Sequence, residues 1–118
     1  MLKQDAGVLF SSAELGILSS ALAEVTYGFE LANFEQTIGA RIGAVEKLLH
    51  EVRIAESAAG AHFALDEVRI ARNSLRETIR ELGEEEFATR TGCAIDEAKK
   101  VLENLDRLLV EATAERRT

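Results

Sequence analysis

The sequence predicts an all-α protein of six helices, arranged as two tandem three-helix units packed into one domain over residues 1–118. Three observations predict it. Ala, Leu, Glu and Arg dominate a chain with no proline and no tryptophan, a composition rich in good helix formers and free of the strongest breaker. Apolar residues recur at helical spacing along most of the length. The chain also repeats itself: residues 63–106, laid without a gap on 10–53, match at Phe10/Phe63, Glu14/Glu67, Ile17/Ile70, Leu22/Leu75, Glu24/Glu77, Phe34/Phe87, Gly39/Gly92, Ile42/Ile95, Lys47/Lys100 and Leu49/Leu102. Self-similarity of this kind marks one structural unit built twice. The repeats run over 10–57 and 63–112, joined by a short linker at 58–62.

Residues 1–9 read as a lead-in without regular structure. Ser11-Ser12-Ala13-Glu14 has the capping-box pattern, a hydroxyl at the helix start and a glutamate three residues on. The helix that follows, 12–28, sets Leu15, Leu18, Leu22 and Val25 on one apolar face. Ile17 and Ala21 widen that face, which predicts a second buried surface, against the other repeat or another subunit. Gly28 loosens the helix end. A short second helix over 31–38 carries Leu31, Phe34 and Ile38, and Gly39 is its left-handed C-terminal residue. The third helix, 42–57, buries Val45, Leu48, Leu49 and Val52. Ala58-Ala59-Gly60-Ala61 is short and apolar, so the two halves are expected to pack together.

The second copy follows the same plan. Its first helix, 64–82, buries Leu65, Val68, Ala71, Leu75, Ile79 and Leu82. Its second, 84–91, carries Phe87 and ends at Gly92, with Glu84-Glu85-Glu86 suited to the positive end of the helix dipole. Its third, 95–112, buries Ala98, Val101, Leu102, Leu105 and Leu109. Glu115-Arg116-Arg117-Thr118 is a charged tail.

Composition narrows the function classes. The formal net charge is −7 and each half is acidic, the wrong sign for neutralising phosphates over a broad surface. Met1–Gly7 has no apolar run fit for a signal peptide, and no stretch is long and apolar enough to span a membrane. The single cysteine, Cys93, forms no internal disulfide and fits a reducing cytoplasm; at a turn it reads as an inert, small apolar residue. His50 and His62 lack a second ligand at metal spacing and read as surface or interhelical residues. There is no Gly-rich phosphate loop, nucleophile elbow, Cys pair or glutamate/histidine metal motif, so the sequence marks no catalytic, cofactor-binding or metal-binding residue. The expectation is a protein that is not an enzyme and carries no cofactor.

Within each unit the short helix, glycine turn and third helix form a local pattern. In the second copy it is Ala88, Gly92, Ala98 and Val101, with Phe87 and Cys93 at further core positions. In the first it is Gly39, Val45 and Leu48, with Phe34, Ile38 and Ala40, and Glu35 standing where the small residue is wanted. The pattern resembles a helix-turn-helix, in which two helices cross closely around a turn that needs positive φ. That resemblance implies tri-helical units at 31–53 and 84–106, and with them a possible DNA-binding transcriptional regulator. A recognition helix needs cationic or amide side chains at its start. The matching residues are Ala94, Ile95, Asp96 and Glu97 in one copy and Arg41, Ile42, Gly43 and Ala44 in the other, which argues against base reading.

The copies part company on the outer side of their first helix. Arg69, Arg72, Arg76 and Arg80 follow 3,4,4 spacing along one side of the second copy's helix. Like charges four apart repel, so the row calls for compensation, either by Asp66, Glu77, Glu84, Glu85 and Glu86 or by an acidic or phosphate-bearing partner. At the matching places the first copy has Gly16, Ser19, Ala23 and Tyr27, a small, mostly apolar surface suited to close packing against a partner or a second subunit. The sequence therefore predicts a small acidic cytoplasmic protein acting as a protein–protein interaction or scaffold module, with self-association, a homodimer included, or a protein partner at these eight residues. DNA binding through a helix-turn-helix is the alternative; an enzyme site between the repeats is the third reading.

Overall fold

The computed structural model describes residues 1–4, 7–58 and 61–117. In chain order the elements are β1 (Leu2–Gln4), β2 (Gly7–Leu9), α1 (Ser12–Ala23) continued by a π-helical turn (Glu24–Gly28), α2 (Phe34–Ile38), α3 (Ile42–Ser57), β3 (His62–Phe63), α4 (Leu65–Thr91) and α5 (Ile95–Arg117). The molecule is mostly helical, as the composition predicts, but not purely so. A small antiparallel sheet in the order β1-β2-β3 occupies part of the expected lead-in and the end of the expected linker. Residues 5, 6, 59, 60 and 118 of those segments and the tail lie outside the described residues.

β2 and β3 alternate in burial as a half-buried strand does, while β1 is exposed along its length. Val8 and Phe63 lie opposite each other and are buried, while Leu9 pairs with His62. On the other side of β2, Leu2, Lys3 and Gln4 pair with Leu9, Val8 and Gly7. Gly7 adopts φ +127°, and a Cβ there would stand 2.7 Å from the Phe63 carbonyl oxygen. No other residue fits that backbone so close to a neighbouring strand. Phe10, just past β2, stacks on Phe63 with ring centroids 5.7 Å apart and a 48° tilt.

α1 starts where the capping box predicts. The Glu14 amide donates to Ser11 Oγ at 3.2 Å, and the Ser11 amide donates to Glu14 Oε1 at 2.8 Å. α4 carries half of the same device. Glu67 Oε1 accepts from the Ala64 amide at 2.9 Å, but alanine has no oxygen to return the bond. The main helices pack in the order α3, α1, α4, α5, with α1 and α4 central. That position explains the wide apolar face of α1: Leu15, Ile17, Leu18, Ala21 and Leu22 are all buried, some against α3 and some against the other half of the chain. Along the α1–α4 seam Thr78 donates its hydroxyl to the Ser74 carbonyl at 2.8 Å and lies 3.3 Å from that of Ala21. A buried hydroxyl is thereby satisfied.

Three boundaries depart from the periodicity. α2 starts at Phe34 rather than 31, because Asn33 takes the left-handed conformation at φ +53°, which asparagine tolerates better than most residues. α5 runs to Arg117. α4 continues to Thr91, but Gly83 (φ +70°, ψ −178°) breaks the helical path inside it, so 65–82 and 84–91 are separate straight segments. Gly39 and Gly92 end α2 and α4 in the left-handed conformation, as expected. Of the residues predicted to be core, Leu31, Phe34, Leu65, Ile79, Leu82 and Leu102 are only half-buried against it.

Candidate interaction faces

The arginine row lies on α4 beside α5, and most of its charge is compensated within the chain. Arg69 meets Asp66 at 3.2 Å, in a pair that is 42% and 88% exposed. Arg72 reaches across to Asp106 on α5 at 2.9 Å, while its Nε donates to Asn73 Oδ1 at 2.7 Å. Asn73 in turn donates to the Ile38 carbonyl at 2.9 Å, so this arginine is fixed through two neighbours. Arg80 lies 3.3 Å from Glu77, whose side chain is nearly buried. Arg76 differs: among the described residues it has no carboxylate partner, and its Nε is buried without a hydrogen bond. Glu84, Glu85 and Glu86 stand exposed and pair with none of the four.

Sequence spacing gives the row and two of its partners, Asp66 and Glu77. It misses Asp106, which lies on another helix. Arg69 and Arg72 line one wall of an open groove of about 570 Å³, and Leu109, Val110, Thr113 and Ala114 of α5 line the other. Val110 is exposed although apolar.

The matching side of α1 is open. Gly16 has space around it, since a Cβ there would meet nothing within 4 Å. Ser19 returns its hydroxyl to the Gly16 carbonyl at 3.2 Å, which leaves the surface without a free donor at that point. Ala23 is half-buried, and Tyr27 is 69% exposed. The four residues thus lie along one side of α1 and its π-helical continuation, the first three half-buried and Tyr27 exposed, with little polar group to solvate.

A third polar arrangement, not legible from spacing, joins the halves. Arg90 meets Glu24 at 2.7 Å and also donates to the Gly28 carbonyl at 3.0 Å. Gly28 allows the approach, because a Cβ there would stand 2.6–2.8 Å from the Glu24 carboxylate and the Arg90 guanidinium. Near the start of α4 a carboxyl pair sits between helices. A hydrogen bond to Glu67, then burial and the Glu67 charge, raise the Glu51 pKa above its ordinary value, against the opposing charges of Lys47 and His50.

The remaining candidates from sequence separate clearly. His50 and His62 are exposed, and His62 Nε2 lies 2.8 Å from Gln4 Oε1. Cys93 is half-buried at the turn after α4, where its amide donates to Thr91 Oγ1 at 3.1 Å. In the turn-and-helix pattern Val45, Leu48, Ala98 and Val101 are buried, but Ala88, placed for a close helix crossing, is exposed. Asp96 and Glu97 are exposed at the start of α5. α2 lies chiefly against α4. Among the described residues no three potential ligands cluster for a metal ion, and no helix is long and apolar enough to cross a membrane. Comparison with family models, with curated proteins and with solved structures returns no match.

Proposed function

We propose that the chain is a small cytoplasmic protein–protein interaction or scaffold module, built by tandem duplication and acting without catalysis. Support for the duplication comes from the seam between the halves. Phe10 and Phe63, one matched position of the two copies, stack on each other, and the residues just before them, Leu9 and His62, pair as strands. A duplicated unit that meets its twin through equivalent residues packs as a pseudo-two-fold pair.

The observation that carries the interaction reading is the contrast between the outer sides of α1 and α4. Equivalent positions hold Gly16, Ser19, Ala23 and Tyr27 in one copy and Arg69, Arg72, Arg76 and Arg80 in the other. Core identities such as Leu22/Leu75 keep the fold, and the change from small residues to arginine along the outer side is where we place specificity. The α1 side suits close packing of an apolar partner surface. On α4, Arg76 without a carboxylate suits an acidic protein segment, since arginine recognises carboxylates by paired hydrogen bonds. The exposed carboxylates Asp96 and Glu97, standing where a DNA-reading helix needs donors, favour a protein over a nucleic acid.

Titration of a labelled acidic peptide at low and high salt tests the α4 side. Binding that weakens with salt and falls in Arg76→Glu is the expected result. Equal binding by wild type and Arg76→Glu removes that side from the proposal. A parallel titration with random duplex DNA is expected to show no binding at low salt, and a steep salt-dependent association would instead select the helix-turn-helix reading.

A further inference from the structure

The two copies place identical residues in unequal surroundings at a second location, the elbow between α2 and α3. Phe87 and Ile95 of the second copy are 1% and 8% exposed. Their counterparts Phe34 and Ile42 are half-buried and 49% exposed. The backbones differ too: Asn33 takes the left-handed conformation and α2 is five residues long, whereas the equivalent segment of α4 runs on from Gly83 to Thr91. Phe34 and Ile42 line an open, mainly apolar groove of about 580 Å³ together with Glu35, Gln36 and Arg41. One copy covers this pair of residues from within, and the other leaves Ile42 exposed and Phe34 only half-covered.

We infer that this elbow is the contact between two copies of the chain, related by a two-fold axis through the Phe34–Ile42 groove. Charge selects a second copy as the occupant. The groove holds one carboxylate and one guanidinium, Glu35 and Arg41, which meet within the chain at 3.5 Å while 63% and 85% exposed. A pair so exposed contributes little to stability and exchanges partners freely. In a two-fold contact Glu35 of each copy faces Arg41 of the other, so two ion pairs frame the apolar centre. The site is locally neutral on a chain of net charge −7. Copies that repel at long range associate best where no net charge is brought together, and screening at physiological salt weakens the remaining repulsion. This surface is separate from the outer sides of α1 and α4 and stands whether or not those bind a partner.

Sedimentation equilibrium over a concentration series reaching about 0.5 mM, where even weak association is populated, tests the inference. Wild type is expected to dimerise. Ile42→Asp is expected to raise the dimer dissociation constant about tenfold or more, from the loss of a buried apolar side chain at each half of the contact. An aspartate in the first turn of α3 suits the helix dipole, so a lost dimer is not a lost helix, and circular dichroism checks this. Glu35→Arg and Arg41→Glu each set like charges across the axis and are expected to give monomers; the double exchange is expected to restore the dimer. A wild-type monomer throughout the series overturns the inference. So does a dimer indifferent to Ile42→Asp, and if that dimer is lost in Ala23→Glu the contact belongs to α1 and the proposed function survives without the elbow.

Discussion

Phe10 and Phe63 pack on each other, centroid to centroid, at 5.7 Å. Each sits just before a helix, Phe10 before α1 and Phe63 before α4, with β2 and β3 paired beside them. The contact joins strand pairing, ring packing and the start of both central helices, and it lies at the centre of what holds the halves together. Phe63→Ala is expected to cost about 3–5 kcal/mol, as for other buried phenylalanines, measured by denaturant unfolding. In a double-mutant cycle with Phe10→Ala the two rings should couple by about 0.5–1.5 kcal/mol. Additive losses would mean that each ring packs on the core independently of the other.

The long helices α1, α3, α4 and α5 were legible in the sequence because each carries several turns of apolar periodicity, and Ser11 with Glu14 marks the start of α1. The sheet was not. Its strands are two or three residues long, too short for alternation to register against the surrounding pattern, and β2 meets β3 across α1, α2 and α3. The arginine row was legible as i, i+3 and i+4 spacing on one helix, while its partner Asp106 depends on how α5 lies against α4. Arg90 and Glu24 meet for the same kind of reason, through the packing of 84–91 on the π-helical turn. The left-handed Asn33 ahead of α2 is a backbone conformation that no periodicity encodes.

Two glycines should respond oppositely to alanine. Gly7→Ala forces a side chain into positive φ and to within 2.7 Å of the Phe63 carbonyl oxygen, and a loss of about 1–3 kcal/mol is expected. Gly16 lies inside α1 with open space beside it, so Gly16→Ala should raise stability by about 0.5–1 kcal/mol through helix propensity. Thermal unfolding of the two variants reads both signs. If the α1 side packs tightly on a partner, Gly16→Ala will also weaken that complex while stabilising the free chain, a split that a purely structural role does not produce.

Breaking the Arg90 contact should be more costly than breaking the exposed arginine pairs. Arg90→Ala leaves the Glu24 side chain, 14% exposed, without its guanidinium and frees the Gly28 carbonyl. A loss of about 1.5–3 kcal/mol is expected, in the range of hydrogen bonds to charged groups. Arg69→Ala removes a pair in which Asp66 is 88% exposed and should cost at most about 0.5 kcal/mol. Urea unfolding of both variants at one ionic strength compares them directly, and equal losses would deny the Arg90 contact its role in joining the halves.

Stability should depend on pH through two glutamates acting in opposite directions. Burial pushes the Glu14 carboxyl up, but the N-terminal ammonium, the Ser11 amide and the Ser11 hydroxyl together hold it below the ordinary glutamate value. A depressed folded-state pKa gives stability that is present above the unfolded value and is lost as pH falls through the folded one. Glu51 is raised above 4.5, chiefly by its hydrogen bond to Glu67, so its contribution is present in acid and is lost as pH rises from the unfolded value through the folded one. Glu51→Gln keeps a donor for Glu67 and carries no charge. It is therefore expected to stabilise the protein at pH 7 and to flatten the loss on the alkaline side of pH 4.5, while leaving the acid limb set by Glu14 in place. Melting temperatures of wild type and Glu51→Gln from pH 3 to pH 7 test this; parallel curves would show that the Glu51 carboxyl is not raised in the folded state.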